Sequence, residues 1–69
     1  MIMPQPNYEA LVKSVYPDAY MAYNSLFETF CLYENHRCEH RISERLKAPY
    51  LCWENAYETL IKQNKIKPQ

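Results

Sequence analysis

Residues 19–43, AYMAYNSLFETFCLYENHRCEHRIS, decide the fold class of this chain. Read at helical spacing, Tyr16, Tyr20, Tyr23, Phe27 and Phe30 recur at alternating steps of four and three, with Pro17 suited to a helix start. Read as strands, Phe30-Cys31-Leu32-Tyr33 is a compact apolar and aromatic run, and Glu34-Asn35-His36-Arg37 is a polar, turn-like stretch. Arg41-Ile42-Ser43 then returns beside that run, and Tyr20 to Tyr23 adds a third strand. Asn24-Ser25 favours a break, and the density of Tyr, Phe, Thr and Cys between 20 and 33 is more typical of strands than of a surface helix. The absence of glycine counts against tight primed hairpin turns, for which Asn35 is the residue suited to a left-handed position. The expected fold is α+β: a short N-terminal helix, a small antiparallel hairpin or three-stranded sheet, and a C-terminal helix. An all-α helical hairpin is the alternative.

The flanks read more simply. Asn7 can cap a helix whose Tyr8, Leu11, Val12 and Val15 share one face, and Tyr16-Pro17-Asp18 stops it, because proline disfavours helix for the residue before it. Pro49 suits a first helical position, and Trp53, Ala56, Tyr57 and Leu60 then fall on one face, widened by Ile61. Glu54, Asn55, Glu58, Thr59, Lys62 and Gln63 are left on the wet side, with Glu58 and Lys62 spaced as an i,i+4 pair. Residues 1–6 and 64–69 are expected to fray at the ends of a single domain spanning 1–69.

A chain of 69 residues buries a modest share of its surface and cannot easily build a deep cleft. Eight Lys and Arg balance eight Asp and Glu, so no net field steers the protein onto nucleic acid or an anionic membrane. The best local basic stretch is His36, Arg37, His40, Arg41, Arg45 and Lys47, interrupted by Glu39 and Glu44. It reads first as a solvated mixed-charge surface. No segment approaches the length of a membrane span, and Met1 to Pro6 has neither the basic region nor the apolar core of a secretory signal. Cys31, Cys38 and Cys52 are an odd number of cysteines, which argues for reduced thiols and a cytoplasmic location.

Thiols and imidazoles meet in Cys31, His36, Cys38, His40 and Cys52, the ligand types of structural zinc, and residues 36–40 match the short H-x-x-E-H pattern. The paired C-x-x-C spacing is missing, so Cys31 and Cys52 read as small core hydrophobes and the histidines as surface groups. No metal or cofactor is expected, and no catalytic residues: nothing pairs a nucleophile with a base, and there is no Gly-rich phosphate loop. The rings number seven Tyr, two Phe and one Trp, more than so small an interior covers. Tyr8, Tyr20, Tyr50 and Tyr57 are therefore expected at the surface. A partner-binding set follows, Tyr20, Tyr50 and Tyr57 with Arg37, Arg41 and Arg45 at the rim.

The arrangement Val15-Tyr16-Pro17-Asp18-Ala19, Phe30-Cys31-Leu32-Tyr33, Arg41-Ile42-Ser43 and Cys52-Trp53-Glu54-Asn55-Ala56 resembles a group of small bacteriophage and prophage proteins. In that group a "PDA" element leads into short strands and a "W-x-x-A" helix closes the chain. The resemblance implies a compact α+β fold, a phage origin and a role in occupying a host protein, such as an antiphage-defence component. The function expected is thus that of a non-enzymatic interaction protein in the host cytoplasm, with a homodimer as a further partner state. The alternatives are a small nucleic-acid-binding accessory factor and a zinc-stabilised module.

Overall fold

In a computed structural model, which describes residues 7–67, the chain runs α1 (Tyr8–Lys13), β1 (Tyr20–Asn24), β2 (Thr29–Tyr33) and α2 (Pro49–Lys62), an α+β order. The ends 1–6 and 68–69, expected to fray, lie outside the described residues. Asn7 caps α1, its Oδ1 accepting from the Ala10 amide at 3.1 Å. The helix stops two residues short of Val15, the last residue of its apolar spacing. The amides of Val15 and Tyr16 both turn to the Val12 carbonyl, at 3.0 and 2.9 Å, tightening the chain ahead of Pro17. Val15 still packs on the core from beyond the helix end.

Strands β1 and β2 pair antiparallel, Tyr20 opposite Tyr33 through Asn24 opposite Thr29. The helical alternative for this stretch is thereby set aside: the β1–β2 hairpin turns at residues 25–28, after the expected break at Asn24-Ser25, and the polar stretch 34–37 turns the chain back a second time. Asn24 makes that turn without glycine: its Oδ1 accepts from the Leu26 amide at 2.9 Å and the Phe27 amide at 3.3 Å. Glu28 closes it in the left-handed region, φ 52°. Around 34–38 the same device recurs. Asn35 Oδ1 accepts from the Arg37 amide at 2.9 Å, but the left-handed residue is Cys38, φ 58°, and not Asn35.

The far edge of β2 is also used. Phe30 and Leu46 exchange both backbone hydrogen bonds, at 2.6 and 2.8 Å, while Ile42 donates to the Leu32 carbonyl and Glu34 to the His40 carbonyl, each at 2.8 Å. Arg41-Ile42-Ser43 does return beside β2, but through isolated bridges rather than a third strand, Tyr33 with Arg41 and Phe30 with Leu46. Between Ile42 and Leu46 the returning chain has more residues than the strand it faces, so it bulges. The bulge would orphan the Leu32 amide. Ser43, a buried residue, repairs this: its hydroxyl accepts from Leu32 N at 2.8 Å and donates to the Glu44 carbonyl at 3.0 Å.

Helix α2 covers the sheet. Ala48 precedes it in extended conformation and Pro49 occupies its first position, where the missing N–H costs nothing. Its buried line is Cys52, Ala56, Tyr57 and Leu60, which closes over Val12 and Leu32, while Trp53 and Ile61 flank the core half-buried. Two bonds tie the helix to the sheet and the bulge: Cys52 Sγ donates to the Phe30 carbonyl at 3.2 Å, and Asn55 Oδ1 accepts from the Glu44 amide at 2.8 Å. Asn55 and Thr59, expected on the wet side, are accordingly half-buried. The i,i+4 spacing of Glu58 and Lys62 yields no ion pair; among the described residues the one ion pair joins Lys13 to Glu9 at 2.8 Å.

The stretch 64–67, expected to fray, is instead turned back. Asn64 takes φ 58°, its amide bonds the Ile61 carbonyl at 3.0 Å, and the Lys65 amide bonds that of Leu60 at 2.9 Å. This is a Schellman closure, and it sets Ile66 against the core. Ser43→Ala strands a buried amide, so urea unfolding is expected to show a loss of about 1–3 kcal/mol. A change below about 0.5 kcal/mol, the range of ordinary surface substitutions, would refute the repair role.

Candidate functional site

The sequence-derived rings separate in the fold. Tyr20 and Tyr50 are exposed, as expected, but Tyr57 is only 8% exposed and belongs to the core. Tyr8 is half-buried against it, ring centroids 5.2 Å apart and tilted by 45°. Both corrections have one cause: α1 lies on α2, so the faces carrying Tyr8 and Tyr57 meet each other instead of water. Tyr20 lies at the far end of β1 from the turn, about 13 Å along a strand that rises roughly 3.3 Å per residue.

The arginines separate as well. Arg37, Arg41 and Arg45 are all exposed. Arg41 lines a cleft of about 420 Å³ between the returning segment and α2, together with Glu34, His40, Asn55, Thr59 and Lys65. Arg45 lines a second, of about 330 Å³, over the outer face of the hairpin with Ala22, Asn24, Thr29, Cys31 and Tyr33. Lys47 is taken up by the hairpin turn, its Nζ donating to the Phe27 carbonyl at 3.0 Å. The basic stretch is thus divided between two concavities and a turn, and Glu34 and Glu44 share the first of them.

No group of three or more His, Cys, Asp or Glu among the described residues is placed to hold a metal ion. Cys31 and Cys52 are buried, and Cys38 is exposed in the loop, its Sγ 3.6 Å from the His36 carbonyl that accepts from it. His36 and His40 lie in irregular chain, so the helical face that H-x-x-E-H would need is absent there. Burial pushes the Cys52 thiol above its ordinary value of 9.0, against the hydrogen bonds of Ser43 and Leu46, which lower it. Hydrogen bonding to Cys31, and the charge interaction with it, raise Tyr33, while Arg45 pulls the other way.

The apolar feature that spacing alone did not single out is the hairpin turn itself. Leu26 is 81% and Phe27 63% exposed, with Tyr23 exposed just before them at the end of β1. Leu26 and Phe27 are not part of the buried core, while the Tyr23 ring meets that of Phe30, centroids 4.9 Å apart. The turn is already braced by Asn24 and Lys47, so presenting these side chains demands little further ordering. A signal was present in the sequence, since the two central positions of a turn are ordinarily polar and in Ser25-Leu26-Phe27-Glu28 they are Leu and Phe. Reading Phe27 at helical spacing with Tyr23 and Phe30 concealed it. Tyr50, also exposed, opens α2 shortly after Lys47.

No family model, curated protein or solved structure matches this chain.

Thiol labelling checks the cysteine environments: Cys38 is expected to react in the native protein, and Cys31 and Cys52 after unfolding. The pH dependence of stability follows. Because the folded Cys52 keeps a proton that the unfolded chain releases, its contribution is complete below pH 9 and is lost as pH rises toward the raised folded value. Urea titrations above pH 9 should therefore show falling stability, with a shallower fall in Cys52→Ala.

Proposed function

We propose that this chain is a non-enzymatic interaction protein of phage type, which binds a host protein through its hairpin turn and thereby inhibits or redirects it. The observation that carries this reading is the exposure of Leu26 and Phe27 on a turn whose backbone is already satisfied. Exposed apolar side chains in a small domain lower solubility and add nothing to a core they do not touch, and such patches mark partner surfaces. Tyr23 widens the patch, and Lys47 bonds its backbone; aromatic anchors with a cationic rim are the composition of energetically dominant contacts.

Tyr20 and Arg41 lie at the end of the hairpin remote from the turn, Arg37 in the loop beyond it and Arg45 over its outer face, so they are exposed without being anchors of this surface. The first cleft is mixed in charge, with Glu34 and Glu44 beside Arg41 and Lys65, while the second sets Arg45 among neutral side chains. No helix among the described residues is long and apolar enough to cross a membrane. The phage origin, the host cytoplasm as the place of action and an antiphage-defence component as the target follow from the resemblance of the "PDA" and "W-x-x-A" elements. They complete the reading.

The test compares tagged wild type with Leu26→Ser/Phe27→Ser as bait in a bacterial lysate, at low and high salt and after nuclease. Both substitutions are on exposed side chains, so far-UV circular dichroism should be unchanged. The expected result is one stoichiometric protein that survives salt and nuclease with wild type and is lost with the double variant. Recovery of nucleic acid alone, falling steeply with salt, would replace this reading with the accessory-factor one.

A further inference from the structure

We infer that β1 is the seam of a homodimer, in which two copies of this chain pair their β1 strands antiparallel about a two-fold axis at Ala22. The inference does not rest on the proposed host protein, although Tyr23 lies in both surfaces.

It starts from where the backbone groups of the sheet go. The amides of Phe30, Leu32 and Glu34 all point toward the returning segment, to Leu46, Ser43 and His40. By the alternation of antiparallel ladders, Thr29, Cys31 and Tyr33 are the residues that exchange bonds with Asn24, Ala22 and Tyr20. The N–H and C=O of Met21 and Tyr23 therefore point outward, and among the described residues no hydrogen bond reaches them. An edge of this kind is a template for another strand.

Natural edges are usually blunted by a charge, a proline or a bulge. The strand Tyr20-Met21-Ala22-Tyr23-Asn24 carries none of these. It is also complementary to itself. With the axis at Ala22, Met21 faces the partner's Tyr23 and Tyr23 the partner's Met21, so every outward donor and acceptor of β1 is matched. The two Ala22 residues form the close, non-hydrogen-bonded pair on the axis, where Cα atoms approach to about 4.5 Å and a small side chain suits. Tyr20 lies opposite the partner's Asn24, and no charges meet.

A second observation lies on the outer face of the hairpin. The cleft of about 330 Å³ there is lined by Ala22, Asn24 and Thr29, among others. Thr29 Oγ1 is buried beside it with no hydrogen-bond partner among the described residues. In this register the partner's Tyr20 stands next to Asn24, which pairs in turn with Thr29. Alternation puts that ring on the same outer face as Asn24 and Ala22, at the mouth of the cleft. An extended peptide would satisfy the same backbone groups, but the register of β1 on itself also supplies the ring.

The test is the mass in solution by light scattering over a concentration series to about 1 mM. The expected result for wild type is twice the 8.3 kDa chain mass. Ala22→Lys and Ala22→Glu place like charges on the axis and should each be monomeric, while their equimolar mixture should recover the dimer. Circular dichroism checks that each variant is folded. In wild type, the amides of Met21 and Tyr23 should gain protection from hydrogen exchange as concentration rises, a readout that needs no variant. A wild type that stays monomeric throughout, a dimer unaffected by Ala22→Lys in a folded variant, or exchange at Met21 and Tyr23 independent of concentration overturns the inference. So does a dimer abolished by Leu26→Ser/Phe27→Ser alone.

Discussion

Everything in this molecule hangs on β2 being paired along both edges. A two-stranded hairpin alone is marginal in water. Here the second edge is taken by an irregular segment that could not hold β2 by backbone bonds alone, because its bulge leaves the Leu32 amide facing a gap. The Ser43 hydroxyl fills that position, and Leu32, fully buried, can then sit at the centre of the core. Helix α2 reinforces the same joint from above, through Cys52 on the Phe30 carbonyl and Asn55 on the Glu44 amide. An unsatisfied buried amide costs as much as many packing contacts return, so one hydroxyl decides whether the bulged segment counts as part of the sheet.

A chain without glycine must also find other ways to turn, and asparagine provides most of them. Asn7 caps α1, Asn24 and Asn35 brace the two turns, Asn55 pins the bulge, and Asn64 takes the left-handed position that closes α2. Every asparagine in the sequence has such a role. The remaining left-handed positions fall to Glu28 and Cys38, residues for which that region is unfavourable, on the order of 1 kcal/mol each. Both lie next to the exposed loops, where strain is tolerated because the surrounding turn bonds over-determine it.

The fold class, the caps and the buried line of α2 were legible because each rests on local chemistry: Asn7 before an apolar face, Pro49 at a first helical position, aromatic density in 20–33. The placement of the hairpin turn was less so. Asn24-Ser25 read as a break, but Phe27 also fitted an apolar pattern at helical spacing, since spacing records hydrophobicity and not whether the core has room for it. The same limit explains Tyr57. Its exposure depended on α1 lying against α2, a contact between distant segments that no local period encodes, and the returning segment was visible as Arg41-Ile42-Ser43 while its bulge was not. Of the expected partner-binding residues, Tyr20, Tyr50 and the arginines are at the surface, yet the most exposed apolar side chains, Leu26 and Phe27, were not among them.

Surface and core are thus two sides of one arrangement, since the joint that fixes β2 also holds the hairpin turn away from the body of the protein. The most direct measurement is the pattern of nuclear Overhauser effects along both edges of β2 in solution. Cross-strand contacts of Phe30 with both Tyr23 and Leu46, and of Leu32 with both Met21 and Ile42, are the result this account predicts. Contacts from β2 to β1 alone, with Ile42 and Leu46 remote from the sheet, would contradict it.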